Sequence, residues 1–173
     1  MGDGVDYVTQ LAPSVPHPVA GKITFVAISA HADHVCGIAT GGAAYCWGAN
    51  QLGQLGNGST ASSNRPVAVA GELRFKVISV GAAHTCAVTT DGAGYCWGAN
   101  PSGQLGNGVA GEPVLTPTRV AGDDRSTLVS AGGQHTCALD SDAVAFCWGL
   151  GIGLGEGALG YPARFVPVRV AGP

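Results

Sequence analysis

A chain of 173 residues is long enough to bury one core of its own. Its eight Lys and Arg are scattered against eleven Asp and Glu, a net charge of −3 with no basic run, which argues against direct contact with nucleic acid. No apolar run approaches the ~20 residues of a membrane-spanning helix, and the N-terminus shows no basic, apolar, small-residue leader of a signal peptide. Hydrophobic residues make up 46% and charged residues 11%, a balance that suits strands buried on both faces better than amphipathic surface helices.

Residues 1–15, MGDGVDYVTQLAPSV, read as a leader arm outside the pattern that follows. The hexamer PHPVAG (Pro16–Gly21) then opens a series that continues as PVAVAG (Pro66–Gly71), PTRVAG (Pro117–Gly122) and PVRVAG (Pro167–Gly172). Between these hexamers lie HVCGIATGGAAYCWGANQLGQLGNG (His34–Gly58), HTCAVTTDGAGYCWGANPSGQLGNG (His84–Gly108) and the shorter HTCALDSDAVAFCWGLGIGLGEG (His135–Gly157). Cys36, Cys86 and Cys137 stand 50 and 51 residues apart, and Trp47, Trp97 and Trp148 keep the same steps. A fixed period of this length marks a propeller, solenoid or array whose units stack because none can bury its apolar face alone. Residues 16–173 are therefore expected to form one array, with repeats at about 20–70, 71–121 and 122–172. The 29 Gly and 10 Pro recur at fixed offsets, so they are turns rather than a mark of disorder.

The second unit predicts four strands: Phe75–Gly81, His84–Thr89, Gly94–Ala99 and a proline-initiated strand near Pro117–Ala121. β-branched and aromatic residues fill them, and Gly, Asp, Asn and Pro bound them. TTDG at 89–92 supplies a hairpin turn, Asp-Gly taking the positive φ it requires. Proline suits an edge strand or a first strand position. The expected fold class is all-β: three four-stranded antiparallel propeller blades plus one spare strand at Pro16–Gly21, an incomplete ring.

The string WGAN-x-x-GQLGNG preceded by GxxHTCA resembles the repeats of the regulator of chromosome condensation family, whose members form seven-bladed β-propellers. The resemblance covers Pro16 to Gly172, and the variant with paired cysteines is similar to the bacterial, exported branch. Two departures stand out. The first unit has His31 where the others have Gly81 and Gly132, and Val35 where they have Thr85 and Thr136. The third unit lacks the loop Asn and Gln, running WGLGIGLGEG (Trp148–Gly157). The resemblance implies a fold and not a task, since members include an exchange factor that docks on nucleosomes, a plant UV-B photoreceptor and a secreted β-lactamase inhibitor. Three units do not close a seven-bladed ring. Either the chain is a piece of a longer polypeptide, or copies associate, with the spare strand adding to a neighbour's sheet edge.

The six cysteines fall in three pairs, Cys36/Cys46, Cys86/Cys96 and Cys137/Cys147. A hairpin centred on Asp91 sets Cys86 opposite Cys96, within bridging range of each other, which predicts three disulfides inside the blades and an oxidising compartment. The competing reading is three pairs of reduced, buried thiols. The spacing of His84 and Cys86 on one strand face, across from Cys96, also fits an open zinc site, but the family keeps that His where Cys is absent, so a structural hydrogen bond is the simpler role. His31 and His34 add a further candidate ligand pair against an ordinary solvated side chain. One Trp per unit at a fixed strand position is expected to pack between blades. GNG at 56–58 and 106–108 lacks the Lys-Ser/Thr end and the following helix of a phosphate loop. No Ser/His/Asp or paired-carboxylate set recurs, so neither catalysis nor a cofactor is expected.

Repeat scaffolds carry their differences on loops. The variable segments are STASSNR (Ser59–Arg65), VAGEPVLT (Val109–Thr116) and ALGYPARFV (Ala158–Val166). The last holds Tyr161, Arg164 and Phe165, residue types enriched in interface hot spots, with Arg65 and Glu112 as flanking contributors. The expectation is a non-catalytic protein-binding or scaffold module, extracellular or periplasmic, whose partner is another protein or copies of itself. The alternatives are a regulator of a small GTPase similar to an exchange factor, and a secreted enzyme inhibitor.

Overall fold

The computed structural model describes residue 2 and residues 16–122, 125–151, 154–155 and 163–171. Its strands are β1 (Phe25–His31), β2 (His34–Ala39), β3 (Ala44–Gly48), β4 (Ser63–Ala68), β5 (Phe75–Val80), β6 (His84–Thr89), β7 (Gly94–Asn100), β8 (Gly111–Arg119), β9 (Ser126–Ala131), β10 (His135–Asp140), β11 (Ala145–Gly149) and β12 (Arg164–Arg169), with no α-helix among the described residues. They form three four-stranded antiparallel meanders, β1–β4, β5–β8 and β9–β12. Each repeat thus makes one blade. The first strands of neighbouring blades touch and the fourth strands lie farther apart, so the blades fan about an axis on the side of β1, β5 and β9.

Two details differ from the sequence expectation. The fourth strand of the second blade begins at Gly111 rather than at Pro117, and Pro66, Pro117 and Pro167 sit inside β4, β8 and β12. Those strands are sheet edges, where a missing N–H on the outer side removes no ladder bond. Pro16–Gly21 forms no strand. β4, β8 and β12 each pair with the third strand of their own blade, and no such strand faces residues 16–21 among the described residues.

The core lies between blades. One cluster joins Cys36, Ile38, Ala44, Cys46, Leu55 and Val69 of the first unit to Phe75, Ile78, Val80, Ala87 and Trp97 of the second. The next joins Cys86, Val88, Cys96, Leu105 and Val120 to Val129, Ala138 and Trp148. The back of one blade therefore covers the front of the following one. Apart from Gly2, which lies on Trp47, the outer faces lack such a neighbour among the described residues. Ile28 is 62% exposed, whereas its repeat equivalents Ile78 and Val129 are 8% and 7% exposed. On the far side Cys137 and Leu139 are half-buried, whereas Cys86 and Val88 are buried.

Candidate functional site

In each blade the Cys of the second strand is the register partner of the Cys of the third, and the pairs are joined as Cys36–Cys46, Cys86–Cys96 and Cys137–Cys147 with Cα atoms 4.1 Å apart. That short separation belongs to a non-hydrogen-bonded antiparallel pair, the geometry that lets two side chains meet. The bonds consume the thiols that a zinc site on His84, Cys86 and Cys96 requires.

The histidines hold blades together. Thr85 Oγ1 donates to the Gln54 carbonyl at 2.9 Å, and the same carbonyl accepts the Trp97 indole N–H at 3.0 Å. His34 Nε2 lies 2.9 Å from Thr85 Oγ1. The threonine has one proton and gives it to a carbonyl, which can only accept. The imidazole must therefore donate through Nε2–H, and its Nδ1 carries a lone pair. His34 Nδ1 is buried without a partner, as that tautomer leaves it. The second interface repeats the set: Thr136 Oγ1 and Trp148 Nε1 both donate to Gln104 O, at 2.8 and 2.9 Å, and His84 Nε2 lies 3.0 Å from Thr136 Oγ1, with Nδ1 again unpartnered.

Protonating Nδ1 would bury a charge with nothing to receive it. Burial, with His31 nearby, lowers the His34 pKa to about 4, and burial, with His34 and His135 nearby, lowers that of His84 to about 3. Both histidines are neutral at physiological pH. Because each donates to its threonine, neither can take the hydroxyl proton, and the pair is not a nucleophile with its base.

The loop that supplies the Gln carbonyl is held by its Asn. Asn50 Oδ1 accepts from Leu55 N at 2.9 Å while its Nδ2 donates to the Ser59 and Ala61 carbonyls; Asn100 does the same with Leu105 N and the Val109 carbonyl. Gly56 and Gly106 follow at φ +67°, and a Cβ on either would lie 2.6 or 2.5 Å from the Nε1 of Trp97 or Trp148. Gly2 takes the same place on Trp47, and Ala20 N donates to its carbonyl as Ala70 N does to Gly56 O and Ala121 N to Gly106 O. The first residue described in the leader arm thus sits in the repeat pattern. Sequence inspection missed this, although MGDG at 1–4 parallels LGNG at 55–58.

The proposed contact residues are spread over three blades. Arg65 is exposed on β4 and Glu112 on β8, while Arg164 and Phe165 are on β12; Tyr161 lies outside the described residues. Phe165 packs on Gly103 of the preceding blade, and its carbonyl accepts from Gly108 N at 2.8 Å, as Leu115 O does from Gly58 N; it remains 42% exposed. His31 ends β1 in a tight turn to His34 and is exposed, while His34 is engaged with Thr85.

Radially fanned four-stranded meanders, locked front to back by one recurring set of polar contacts, define a repeat protein of the β-propeller class. The chain belongs to the regulator of chromosome condensation (RCC1) repeat family: one profile of that repeat matches residues 41–88 and 91–139, and a second matches residues 25–54 and 75–104. No curated protein sequence matches the chain at a significant level. In fold it is similar to human WBSCR16, with 23% identity and a TM-score of 0.80 over 89% of this chain and 39% of that one. It is also similar to Prp20p of Saccharomyces cerevisiae, whose binding to Gsp1p and histones has been examined (23% identity, TM-score 0.75, 86% of this chain and 38% of that one). The same yeast RCC1 protein has been crystallised bound to Kap60 (20% identity, TM-score 0.73, 86% and 37%). The chain spans less than two fifths of the length of these proteins.

Proposed function

We propose that this chain is a non-catalytic protein-binding scaffold of an exported protein, working through the outer faces of its blade array. The observation that carries the reading is the apolar front of the first blade. Ile28 stands in the open where Ile78 and Val129 are covered by a preceding blade. A face built to be covered by another sheet is a protein-binding face. A copy of the chain is the occupant it suits best. The apolar part of the interface required already exists twice within the molecule, with Val35 in place of the Thr that meets a histidine there, and the back of β10 presents Cys137 and Leu139 where the back of β6 presents Cys86 and Val88. Binding of other proteins by similar propellers, among them Kap60 by yeast RCC1, is consistent with a protein partner. Further contacts are assigned to the outer strands at Arg65, Glu112, Arg164 and Phe165, and to Tyr161. Three disulfides support an oxidising compartment, extracellular or periplasmic.

Sedimentation equilibrium over a concentration series tests the reading. The expected result is a mass above 17.1 kDa that rises with concentration and falls to the monomer in Ile28→Glu. A single 17.1 kDa species at every concentration overturns head-to-tail association.

A further inference from the structure

The repeats differ at one core position with a consequence for binding. Phe25 starts β1 and Phe75 starts β5; the equivalent first residue of β9 is Ser126. The register fixes the equivalence, because Phe25, Phe75 and Ser126 pair with Ala39, Thr89 and Asp140, the last residues of β2, β6 and β10. The backbone agrees: Phe75 N donates to Gly42 O at 2.8 Å and Ser126 N to Gly92 O at 2.9 Å.

In the first blade the phenyl ring has three walls. Its centroid is 5.7 Å from that of Trp47 and 6.3 Å edge-on from that of Tyr45, and a Cβ on Gly37 would lie 2.6 Å from Phe25 Cδ1. In the second blade Phe75 packs on Trp97 at 6.0 Å and is buried. The equivalents of Gly37, Tyr45 and Trp47 in the third blade are Ala138, Phe146 and Trp148. All three line a cavity of about 370 Å³, together with Ser126, Asp140, Arg125, Ala121, Gly122 and Pro167. The walls remain and the ring is gone.

The volume is more than the vacated ring requires, since a cavity of about 150 Å³ suffices to bind benzene. The cavity's side chains with polar groups are Ser126, Asp140 and Arg125. Asp140 stands where the second blade has Thr89, and the exposed guanidinium of Arg125 bonds Asp140 Oδ2 at 3.1 Å and Asp142 Oδ2 at 3.0 Å. Apolar and aromatic walls with a few polar groups among them are the usual make-up of a small-ligand pocket.

We propose that this cavity is a binding site for a flat aromatic ring bearing one hydrogen-bond donor, of the phenol or indole class. The ring takes the side vacated by the missing phenylalanine, against the half-buried Phe146 and the edge of the buried Trp148, and its donor faces the Asp140 carboxylate. The ring can come from a free small molecule or from a side chain of a partner. The site is independent of the outer blade faces.

The test is a titration of the oxidised protein with p-cresol, followed by the indole N–H signals in ¹H–¹⁵N spectra. The Trp148 signal is expected to move saturably, with half-saturation on the order of 1 mM for a ligand of this size. Trp47 and Trp97, whose pockets hold Phe25 and Phe75, serve as internal controls and are expected to stay still. Ser126→Phe, which restores the plug of the sister blades, is expected to abolish the shift. Ala138→Val, which narrows one wall, is expected to weaken it at least tenfold and serves if Ser126→Phe does not fold. A capped Gly-Tyr-Gly peptide distinguishes the sources. Tighter binding than p-cresol assigns the site to a partner's side chain, and weaker binding assigns it to a free molecule. Equal movement of all three indoles, no movement of Trp148 with either probe, or unchanged binding in both variants overturns the proposal.

Discussion

Acidification is expected to destabilise this protein well above the range where carboxylates titrate, and the two interface histidines set the size of the effect. Their folded pKa values, about 4 for His34 and about 3 for His84, lie below the unfolded value of 6.5. The unfolded chain therefore takes up protons first as the pH falls. The histidine contribution is complete above pH 6.5 and is lost as the pH drops toward 4. Each step of one pH across that window is worth up to about 1.4 kcal/mol per group, so between pH 7.5 and pH 5 each histidine gives up about 2 kcal/mol and the two together about 4 kcal/mol. Against a total stability of roughly 5–15 kcal/mol that is a large share. For a chain of this size it corresponds to a fall in Tm of about 8–16 °C. Circular dichroism melts at pH 7.5, 6.5, 5.8 and 5 measure it. His84→Gln keeps a donor near the Nε2 position but does not titrate, and is expected to remove about half of the slope. A Tm constant within about 2 °C from pH 7.5 to pH 5, or a slope unchanged in His84→Gln, would refute the assignment of neutral, Nε2-protonated histidines between the blades.

Removing the hydroxyl that the histidine meets acts on the same contact without a pH change. Thr136→Val leaves the His84 Nε2–H buried and unpaired, an expected loss of about 1–3 kcal/mol read from the urea midpoint, whereas Val35→Thr gains nothing because no preceding histidine faces it among the described residues. Ellman's reagent is expected to find no thiol in the denatured, unreduced chain, and the double variant Cys86→Ser, Cys96→Ser to lose about 2–3 kcal/mol, or about 4–12 °C in Tm. Gly106→Ala forces a Cβ against the Trp148 indole at a left-handed φ and is expected to cost at least about 2 kcal/mol, with a red shift of tryptophan emission as the readout; unchanged emission would contradict the close approach.

The blades, their strand count and the cysteine pairing were legible because each is local. Strand, turn and strand lie within one repeat, and the offset between Cys86 and Cys96 places them opposite each other once Thr89–Gly92 turns. The clamp between blades was only half legible. The recurrence of His84 suggested a structural hydrogen bond, but its partner is Thr136, a whole repeat away, and the Gln104 carbonyl that orders the pair is backbone, which no pattern of side chains can announce. The Val35 departure noted in the first unit now has a physical account. Val35 stands where Thr85 and Thr136 reach back to a preceding His and Gln carbonyl. His31 stands at the position of Gly81, where a Cβ would strike the His84 ring and the Gly132 carbonyl, and the structure offers no account of the exchange. Phe165 was singled out as an exposed aromatic, and half of its role was invisible because the residue it covers, Gly103, belongs to the previous blade.

A repeat offers a standard for judging its own exceptions, since a position filled alike in sister units shows what the fold needs there. The first-unit exception Val35 falls where the fold's need is a neighbour on the preceding side, so it relaxes a requirement and does not create a feature. The third-unit exceptions are different in kind. Ser126 and Asp140 replace the Phe and Thr of the second blade, they are register partners of each other, and both line the same cavity as the retained Trp148. Trp148 stays buried and hydrogen-bonded to Gln104 O at 2.9 Å, and Arg125 pairs with Asp140. Among the described residues the cavity keeps Phe146 and Trp148 in its lining while Ser126 replaces the phenylalanine of the sister blades, an arrangement that an occupant from outside explains better than decay, and Ser126 is the residue at which the two explanations part.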